Sequence, residues 1–336
     1  MAAERKQVVH EFSQSIHDVT AGSVDDLLGE FYHDDAGWYG PEPLNELNGV
    51  ESIAQGCWEP LLTAFPDLEK NDYILLEGEF EGEQWVSAAG TLIGTFDEDW
   101  LDIPATGRTT WIQYGALYRV VDGKIAETRM LFDVLDVMRQ AGYRFIPALA
   151  PEVVRPGPAT QDGLLFDEQE ESDSEQTLQM VEDMIFEGLG SYDGENLDVM
   201  DMDAYWHTDF MWYGPAGIGT TRGVDGFQEF HQGPWLEAFP DRGTGGNAIR
   251  VAEGDYCAWT AWPSGEATHR GDGLFGLPST GETVTFRVID FWRREGDLLA
   301  ENWVFIDTID LLEQFGVDVF ERLRNNPESV RWTGTP

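Results

Sequence analysis

The candidate general bases of this sequence are Asp133 and Asp307, which follow strand-like segments. Alternate side chains of a strand share one face, so Glu301, Trp303 and Asp307 point the same way. The opposite face of that segment carries Asn302, Val304 and Ile306. Both faces hold large side chains, so polarity alone does not decide which one lines a pocket. An aspartate among aromatic side chains is poorly solvated, which raises its pKa and makes it a better base. The alternative for both aspartates is a helix N-cap, since Asp is a favoured capping residue.

Histidine and aromatic residues form a second candidate group. Trp-Tyr-Gly-Pro occurs at 38–41 and at 212–215, and His33 and His207 each precede a copy by five positions. A neutral imidazole at a pocket entrance could hydrogen-bond a ligand carbonyl, and Tyr39 and Tyr213 could donate to an enolate oxygen. The structural alternatives are histidines that lock the corner between a helix and a strand, and tyrosines that are core aromatics with one solvated end.

These motifs belong to a tandem repeat. An offset of 174 positions, without a gap, pairs Trp38 with Trp212 and aligns other rare residues of the two repeats. The first-repeat residues Pro60, Trp85, Glu127 and Gln140 pair in this way with Pro234, Trp259, Glu301 and Gln314. We predict domains at 1–146 and 176–325, joined by an acidic, proline-containing linker at 147–175.

Each repeat places helices before strands. Apolar residues at helical spacing between Val50 and Leu61 predict a third helix, which Pro60 kinks or breaks. Strand-like runs follow at 73–76, 85–93, 109–121 and 125–132. We expect one antiparallel sheet that curves around three helices, an α+β fold in the form of a cone with an open mouth.

The composition is strongly acidic. The chain has 63 acidic and 20 basic residues, a net charge of -43. Dissolved ions screen the repulsion between such charges, so we expect a salt-adapted, halophilic or marine microbe as the source. Phosphate backbones and anionic lipids would be repelled, so we expect no nucleic-acid or membrane partner. Because the chain lacks an apolar signal segment and a membrane span, we expect a cytoplasmic location.

Metal and redox chemistry find little support. Cys57 and Cys257 do not occupy equivalent positions in the repeats, which disfavours a repeated metal or redox site. The six histidines show no spacing typical of metal ligands. We therefore expect neither a metal nor a cofactor.

Three segments of the second repeat stand in an order that one family shares: Thr-His-Arg-Gly at 268–271, Phe-Gly-Leu-Pro-Ser-Thr-Gly at 275–281, and Glu-Asn-Trp at 301–303 followed by Asp307. With these segments the chain resembles the SnoaL-like polyketide cyclase family, of the nuclear-transport-factor-2-like, cystatin-like superfamily. The first repeat resembles it more loosely, through 103–108 and 123–127. The resemblance implies two conical α+β barrels, each with three N-terminal helices on a curved antiparallel sheet. It also implies an intramolecular pseudo-dimer, with further oligomerisation left open.

The resemblance implies a reaction as well. SnoaL-like enzymes close a ring by aldol addition without a metal or cofactor, which here implies a hydrophobic, oxygenated small molecule as the ligand. It favours the face of Glu301, Trp303 and Asp307 as the pocket lining and Asp307 as the acid/base, with His269 and Asp133 completing the candidate catalytic set. The candidate substrate-binding residues are His207, Trp212, Tyr213, Arg287, Glu301 and Trp303, and in the first repeat His33, Trp38, Tyr39, Glu127 and Arg129.

The two repeats differ at this proposed face. At an offset of 174, Thr95 stands in place of His269 and Arg129 in place of Trp303, so we expect any proton-transfer chemistry in the second repeat. One alternative is a tandem domain that binds a small molecule without catalysis. Another is an acid–Arg–acid set in the first repeat that activates water on an epoxide, as the superfamily's epoxide hydrolases do: Glu127, Arg129 and Asp133. The structural alternative for that set is an ion pair that closes the pocket.

Overall fold

The computed structural model describes residues 2–150, 155–243, 248–325 and 327–331. The chain divides into two units, the first comprising Met1–Phe145, Gln161–Asp167 and Val317–Pro336, and the second Ile146–Thr160 and Glu168–Gly316. The segment 147–175, predicted to be a linker, thus contributes residues to both units. Within the described ranges, no helix combines the length and apolar character needed to cross a membrane.

The first unit begins with helices α1 (Ala2–Ser15) and α2 (Val24–Phe31). The third predicted helix is divided, because α3 (Val50–Ile53) runs into a π-helical turn at Ala54–Trp58 before α4 (Glu59–Ala64). Pro60 lies just after this turn, in the first turn of α4, and its ring removes one backbone N–H from the helical hydrogen bonds. The helix is therefore interrupted at the π-helical turn just before Pro60, and not at Pro60 itself.

Six strands form the sheet of the first unit: β1 (Tyr32–Tyr39), β2 (Glu46–Asn48), β3 (Glu69–Phe80), β4 (Glu83–Thr95), β5 (Thr109–Val121) and β6 (Lys124–Phe132). Their order is β2-β1-β6-β5-β4-β3. The four strands predicted from the sequence, β3 to β6, pair antiparallel as expected. Strand β1, which was not predicted, pairs parallel to β6, so the sheet as a whole is mixed. The sequence of β1, Tyr-His-Asp-Asp-Ala-Gly-Trp-Tyr, lacks the alternation that predicts a strand. Helix α5 (Val134–Gln140) follows β6.

The second unit repeats this plan. Its helices and strands are α6 (Glu171–Asp183), β7 (Trp206–Tyr213), β8 (Thr220–Arg222), α7 (Gly223–Phe227), α8 (Gly233–Ala238), β9 (Ile249–Glu253), β10 (Tyr256–Thr268), β11 (Thr283–Glu295), β12 (Leu298–Ile306) and α9 (Thr308–Gln314). A π-helical turn at Gln228–Gln232 again separates the two short helices. The sheet order β8-β7-β12-β11-β10-β9 matches that of the first unit. After α9 the chain forms α10 (Val319–Asn325) and α11 (Pro327–Val330), which lie in the residue ranges of the first unit.

The gapless offset of 174 fails in β10. In the first unit, the carboxylate of Asp67 accepts hydrogen bonds from the backbone N–H and the hydroxyl of Thr95, at 2.6 and 2.7 Å. In the second unit, Asp241 accepts the same pair from Thr268, at 2.9 and 2.7 Å. Thr268, rather than His269, is therefore the counterpart of Thr95. The register of β10 shifts between Ala261 and Gly265, which breaks the constant offset.

Candidate functional site

A cavity of about 160 Å³ lies inside the second unit, between its helical segments and one face of β7, β10, β11 and β12. Its walls are mostly apolar and include the aromatic residues Trp206, Trp212, Phe227, Trp235, Trp259, Phe286 and Trp292. The polar residues in the lining are His231, Arg242, Ser264, Asp290 and Asn302. Concave, largely apolar sites with a few polar groups are typical of small-molecule binding. Of the residues predicted from the sequence, Trp212 lies in this lining.

Asp290 is the carboxylate of the cavity. It lies within β11, paired with Trp259 of β10 and with Val304 of β12. Removal from bulk water raises the pKa of Asp290 to about 7, while a hydrogen bond from Asn302 and the positive charge of Arg242 act in the opposite direction. A carboxyl group with this pKa can accept and return a proton near neutral pH.

Asn302 holds its place through the backbone of the neighbouring strand. Its amide nitrogen donates to the carbonyl oxygen of Phe291, at 2.9 Å, and its side chain is almost fully buried. Because Phe291 directly follows Asp290, this bond ties the amide to the segment that carries the carboxylate. Asn302 thus lies close to Asp290, where it favours the charged form of the carboxyl group.

Arg242 supplies the positive charge of the lining. It follows α8, and its backbone N–H donates to the carbonyl oxygen of Phe239, at 3.2 Å. Burial lowers the pKa of its guanidinium, and the negative charge of Asp290 partly offsets this effect, but an arginine stays protonated in proteins. Among the described residues, no carboxylate lies within 4.0 Å of its guanidinium nitrogens, and no side chain hydrogen-bonds to them.

His231 is a neutral imidazole in the same lining. Its ring stacks on Trp212 at a centroid distance of 4.1 Å. Burial, and to a lesser extent the charge of Arg242, lowers the pKa of His231 to about 3. Its buried Nδ1 has no hydrogen-bond partner among the described residues. It can therefore offer a hydrogen bond to a ligand without adding charge.

The cavity uses the other face of β12 from the one that the family resemblance favours. Asn302, Val304 and Ile306 line it, so the expectation that the face of Glu301, Trp303 and Asp307 lines the pocket was wrong. Both faces of β12 carry bulky side chains because both are covered by other parts of the chain. The alternation of side chains in the sequence therefore does not indicate which face borders the cavity.

The face of Glu301 is covered by residues 155–160 of the same unit. The carboxylate of Glu301 accepts hydrogen bonds from Arg293 Nε at 2.5 Å, from the Tyr213 hydroxyl at 3.1 Å and from the backbone N–H of Ala159 at 3.2 Å. The indole N–H of Trp303 donates to the carbonyl oxygen of Pro156, at 2.8 Å. These predicted ligand-binding residues therefore contact a segment of the chain itself.

Asp307 and Asp133 are both helix N-caps. Oδ1 of Asp307 accepts from the backbone N–H of Asp310 at 3.1 Å, and Oδ1 of Asp133 accepts from that of Asp136 at 3.0 Å. Arg287 donates to the second oxygen of Asp307, at 3.1 Å. This geometry matches the capping alternative, and none of Asp307, Asp133 and Arg287 lies in the cavity lining.

The predicted histidines make structural contacts. His269 stacks on Phe315 with ring centroids 3.9 Å apart, and its Nδ1 accepts from the backbone N–H of Thr280 at 3.3 Å. His33 and His207 donate from Nε2 to the carbonyl oxygens of Val121 and Glu295, at 2.9 and 3.0 Å. These contacts fit the corner-locking alternative for His33 and His207.

The predicted residues of the first unit contact one another or the core. Trp38 is buried against Phe132. Arg129 forms an ion pair with Glu127 at 2.9 Å and lies over the ring of Tyr39. With Asp133 capping α5, the acid–Arg–acid set takes the geometry of the ion-pair alternative.

Large side chains occupy the interior of the first unit where the second has its cavity. By sheet register, Ala116 is the counterpart of Asp290, and Tyr114 and Tyr118 are those of Val288 and Trp292. A fully buried Lys70 adds to the filling, with its Nζ bonded to Ser13 at 2.6 Å, Asp72 at 2.8 Å and Tyr114 at 2.8 Å. The carboxylate of Asp290 in the cavity therefore has no counterpart in the first unit.

Asp290, Arg242, His231 and Asn302 were missed by the sequence analysis. The signal for Asp290 was a single carboxylate within the apolar run Val-Ile-Asp-Phe-Trp, at a position where the first repeat has alanine. For Arg242 it was a cation standing at the position of Leu68. In the described part of the chain, no cluster of three or more His, Cys, Asp or Glu residues could hold a metal ion.

Comparison with known proteins matches both repeats to one family. The model of the SnoaL-like polyketide cyclase family matches residues 10–141 and 191–315, more than half of the chain. No curated protein gives a significant match.

Solved structures with similar folds match one repeat at a time. A candidate SnoaL-like polyketide cyclase from Jannaschia sp. CCS1 is 23% identical, with 40% of this chain and 89% of that chain covered and a TM-score of 0.34. IdmH, a candidate polyketide cyclase from Streptomyces antibioticus, is 19% identical over 40% of this chain and 96% of its own, with a TM-score of 0.35. AclR, a candidate hydroxylase from Streptomyces galilaeus, is 20% identical over 42% and 98%, with a TM-score of 0.35.

Proposed function

Since the chain belongs to the SnoaL-like polyketide cyclase family in both of its repeats, we propose that its second domain is a cofactor-independent acid–base enzyme. Its substrate is a hydrophobic, oxygenated small molecule that binds in the cavity, and its reaction is an aldol-type ring closure. The first domain, whose interior is filled around Lys70, carries no catalytic role in this proposal.

The observation that carries the proposal is the environment of Asp290. A carboxylate within an aromatic cavity, with a pKa raised to about 7, has the basicity that proton abstraction from carbon demands. Perturbed carboxylates in clefts are more frequent at functional sites than elsewhere.

The proposed reaction needs no co-reactant. Asp290 removes a proton from the carbon next to a substrate carbonyl, and the C–H electron pair forms the enolate. The enolate carbon attacks a second carbonyl of the same molecule, which forms a C–C bond and leaves a negative charge on the second oxygen. The protonated Asp290 then returns its proton to that oxygen. Five indole rings in the lining favour a flat, conjugated substrate, because they offer large apolar surfaces.

Exchange of carbon-bound hydrogen tests the chemistry without knowledge of the substrate. The protein would be incubated with 2-acetylnaphthalene in D₂O at high salt, and loss of the methyl proton signal would be followed by NMR. We expect the unmodified protein to accelerate exchange and Asp290→Asn to lose roughly a hundredfold or more of that rate. Asp307→Asn is the matched control, because it can still cap α9 and should exchange at the normal rate.

The outcomes separate the alternatives. Equal loss in Asp307→Asn, or normal exchange by Asp290→Asn, would contradict the assignment of the base. Binding of the ketone, detected as raised thermal stability, without accelerated exchange would support the domain that binds without catalysis.

A further inference from the structure

We propose that Arg242 is the electrophilic residue of the cavity, which binds the substrate's carbonyl oxygen and holds the negative charge that develops there as Asp290 takes the proton. This inference rests on the proposed function and adds the group that makes the carbon acidic enough for a carboxylate base. A ligand with an anionic oxygen on a flat aromatic frame is the chemical class that such a site recognises.

The placement of the positive charge of Arg242 favours this role. Arg242 lines an aromatic cavity, and its guanidinium has neither an ion pair within 4.0 Å nor a side-chain hydrogen bond among the described residues. A cation held out of bulk water is costly unless a negative group faces it. Asp290 supplies that charge from the same lining, yet it lies beyond ion-pair distance of the guanidinium. The space between the two groups is where a ligand oxygen can lie.

Proton transfer moves a negative charge within the cavity without changing the total charge. Before proton transfer the site holds one carboxylate and one guanidinium. After proton transfer, Asp290 is neutral and the negative charge lies on the enolate oxygen. Arg242 then attracts the substrate oxygen instead of the Asp290 carboxylate. A preorganised cation at the place where charge develops lowers the barrier, because it needs no rearrangement during the step.

The first unit differs from the second at the positions of both charged residues. In the first unit, Leu68 occupies the position of Arg242. Each of these two residues directly follows an aspartate whose carboxylate accepts two hydrogen bonds from a threonine. Ala116 stands at the position of Asp290. The unit whose interior is filled therefore lacks both charges, whereas the unit with the cavity has both, as expected if the two act together.

The test uses a naphthol as a stable mimic of the enolate. In the Asp290→Asn background, which imitates the neutral acid, 2-naphthol should bind as its anion, visible by its absorbance at longer wavelength. Adding Arg242→Gln should lower the affinity for the anion roughly tenfold to a hundredfold, the typical value of a charged hydrogen bond. The affinity for 2-methoxynaphthalene, which has no ionisable oxygen, should change less than about twofold.

Matched controls isolate the role of Arg242 from the general field of the protein. Arg270→Gln removes the same charge from an exposed neighbour that pairs with Asp241, and it should leave the preference for the anion intact. Arg242→Lys should restore part of that preference if the glutamine variant folds poorly.

Three results would overturn the proposal: equal losses for both ligands, an unchanged affinity for the anion, and no binding of either ligand. If Asp290-dependent hydrogen exchange persists with any of them, the acid–base function stands without an electrophilic role for Arg242. If the preference for the anion depends on Arg242 but hydrogen exchange does not depend on Asp290, the proposed acid–base function is wrong, while the binding of the anion by Arg242 is retained.

Discussion

Replacing Asp290 by asparagine should stabilise the protein, and the gain should depend on pH. The substitution keeps the size of the side chain and its ability to hydrogen-bond, but it removes the ionisable group. In the folded state the pKa of Asp290 is raised from 3.8 to about 7. Between these pH values the folded protein still holds the proton of Asp290, whereas the unfolded chain has released it. The stability that this group contributes is therefore lost as the pH rises.

The size of the effect follows from the two pKa values. Linkage gives a loss of about 2.7 kcal/mol for the unmodified protein between about pH 5 and about pH 8. This is an upper figure, because the cavity gives the carboxyl group some contact with solvent. Asp290→Asn has no such loss, so its advantage should grow by up to this amount over the same range. For a domain of this size the corresponding difference in melting temperature is about 5–10 °C.

Thermal melts of both proteins at the two pH values, at constant and high ionic strength, measure this difference. Asp209→Asn serves as the control, because Asp209 is an exposed carboxylate in a surface ion pair and such pairs contribute little. A stability gain of the same size at both pH values would refute the reasoning, since it would show that Asp290 is not protonated in the folded state at the lower pH.

Three other expectations can be checked directly. Asp307→Ala should lower the free energy of unfolding by about 1–3 kcal/mol in denaturant titrations, because α9 loses its cap and Arg287 a partner, whereas Asp307→Asn should cost less than about 1 kcal/mol. With a net charge of -43, the melting temperature should rise between about 0.1 M and about 2 M potassium chloride, and no rise would contradict adaptation to salt. The pairing of the two domains about a pseudo-twofold axis stays a prediction, which a crystal structure without sheet-to-sheet contact would contradict.

The repeat and the fold class could be predicted from the sequence because they rest on rare residues and on hydrophobic patterns. The strand at Tyr32–Tyr39 could not, since its place depends on pairing with β6 rather than on alternation. The shift in β10 is equally hidden, because the offset of 174 holds at Asp67 and Asp241 before the strand and again along β11 after it.

The candidate site was harder to predict than the fold. The alternation along β12 fixes two sets of side chains but not which of them faces a cavity, and the covering segment 155–160 lies far from Glu301 in the sequence. Asp307 follows a strand and precedes a helix, so a base and a cap look alike until the hydrogen bond to Asp310 is known. Asp290 was missed because a single acidic residue within a strand has no spacing pattern.

The path of the chain limits how the protein can be dissected. Residues 161–167 belong to the first unit, where Gly163 and Leu165 exchange backbone hydrogen bonds with Leu75 at 2.8 and 3.0 Å, yet the preceding residues 146–160 belong to the second. No single cut therefore yields two intact halves: a cut between Phe145 and Ile146 keeps the second unit whole, but it removes residues 161–167 and 317–336 from the first. The two repeats are therefore no longer equivalent as separate pieces, because the first, expressed as residues 1–145, would lack the segment that hydrogen-bonds to Leu75.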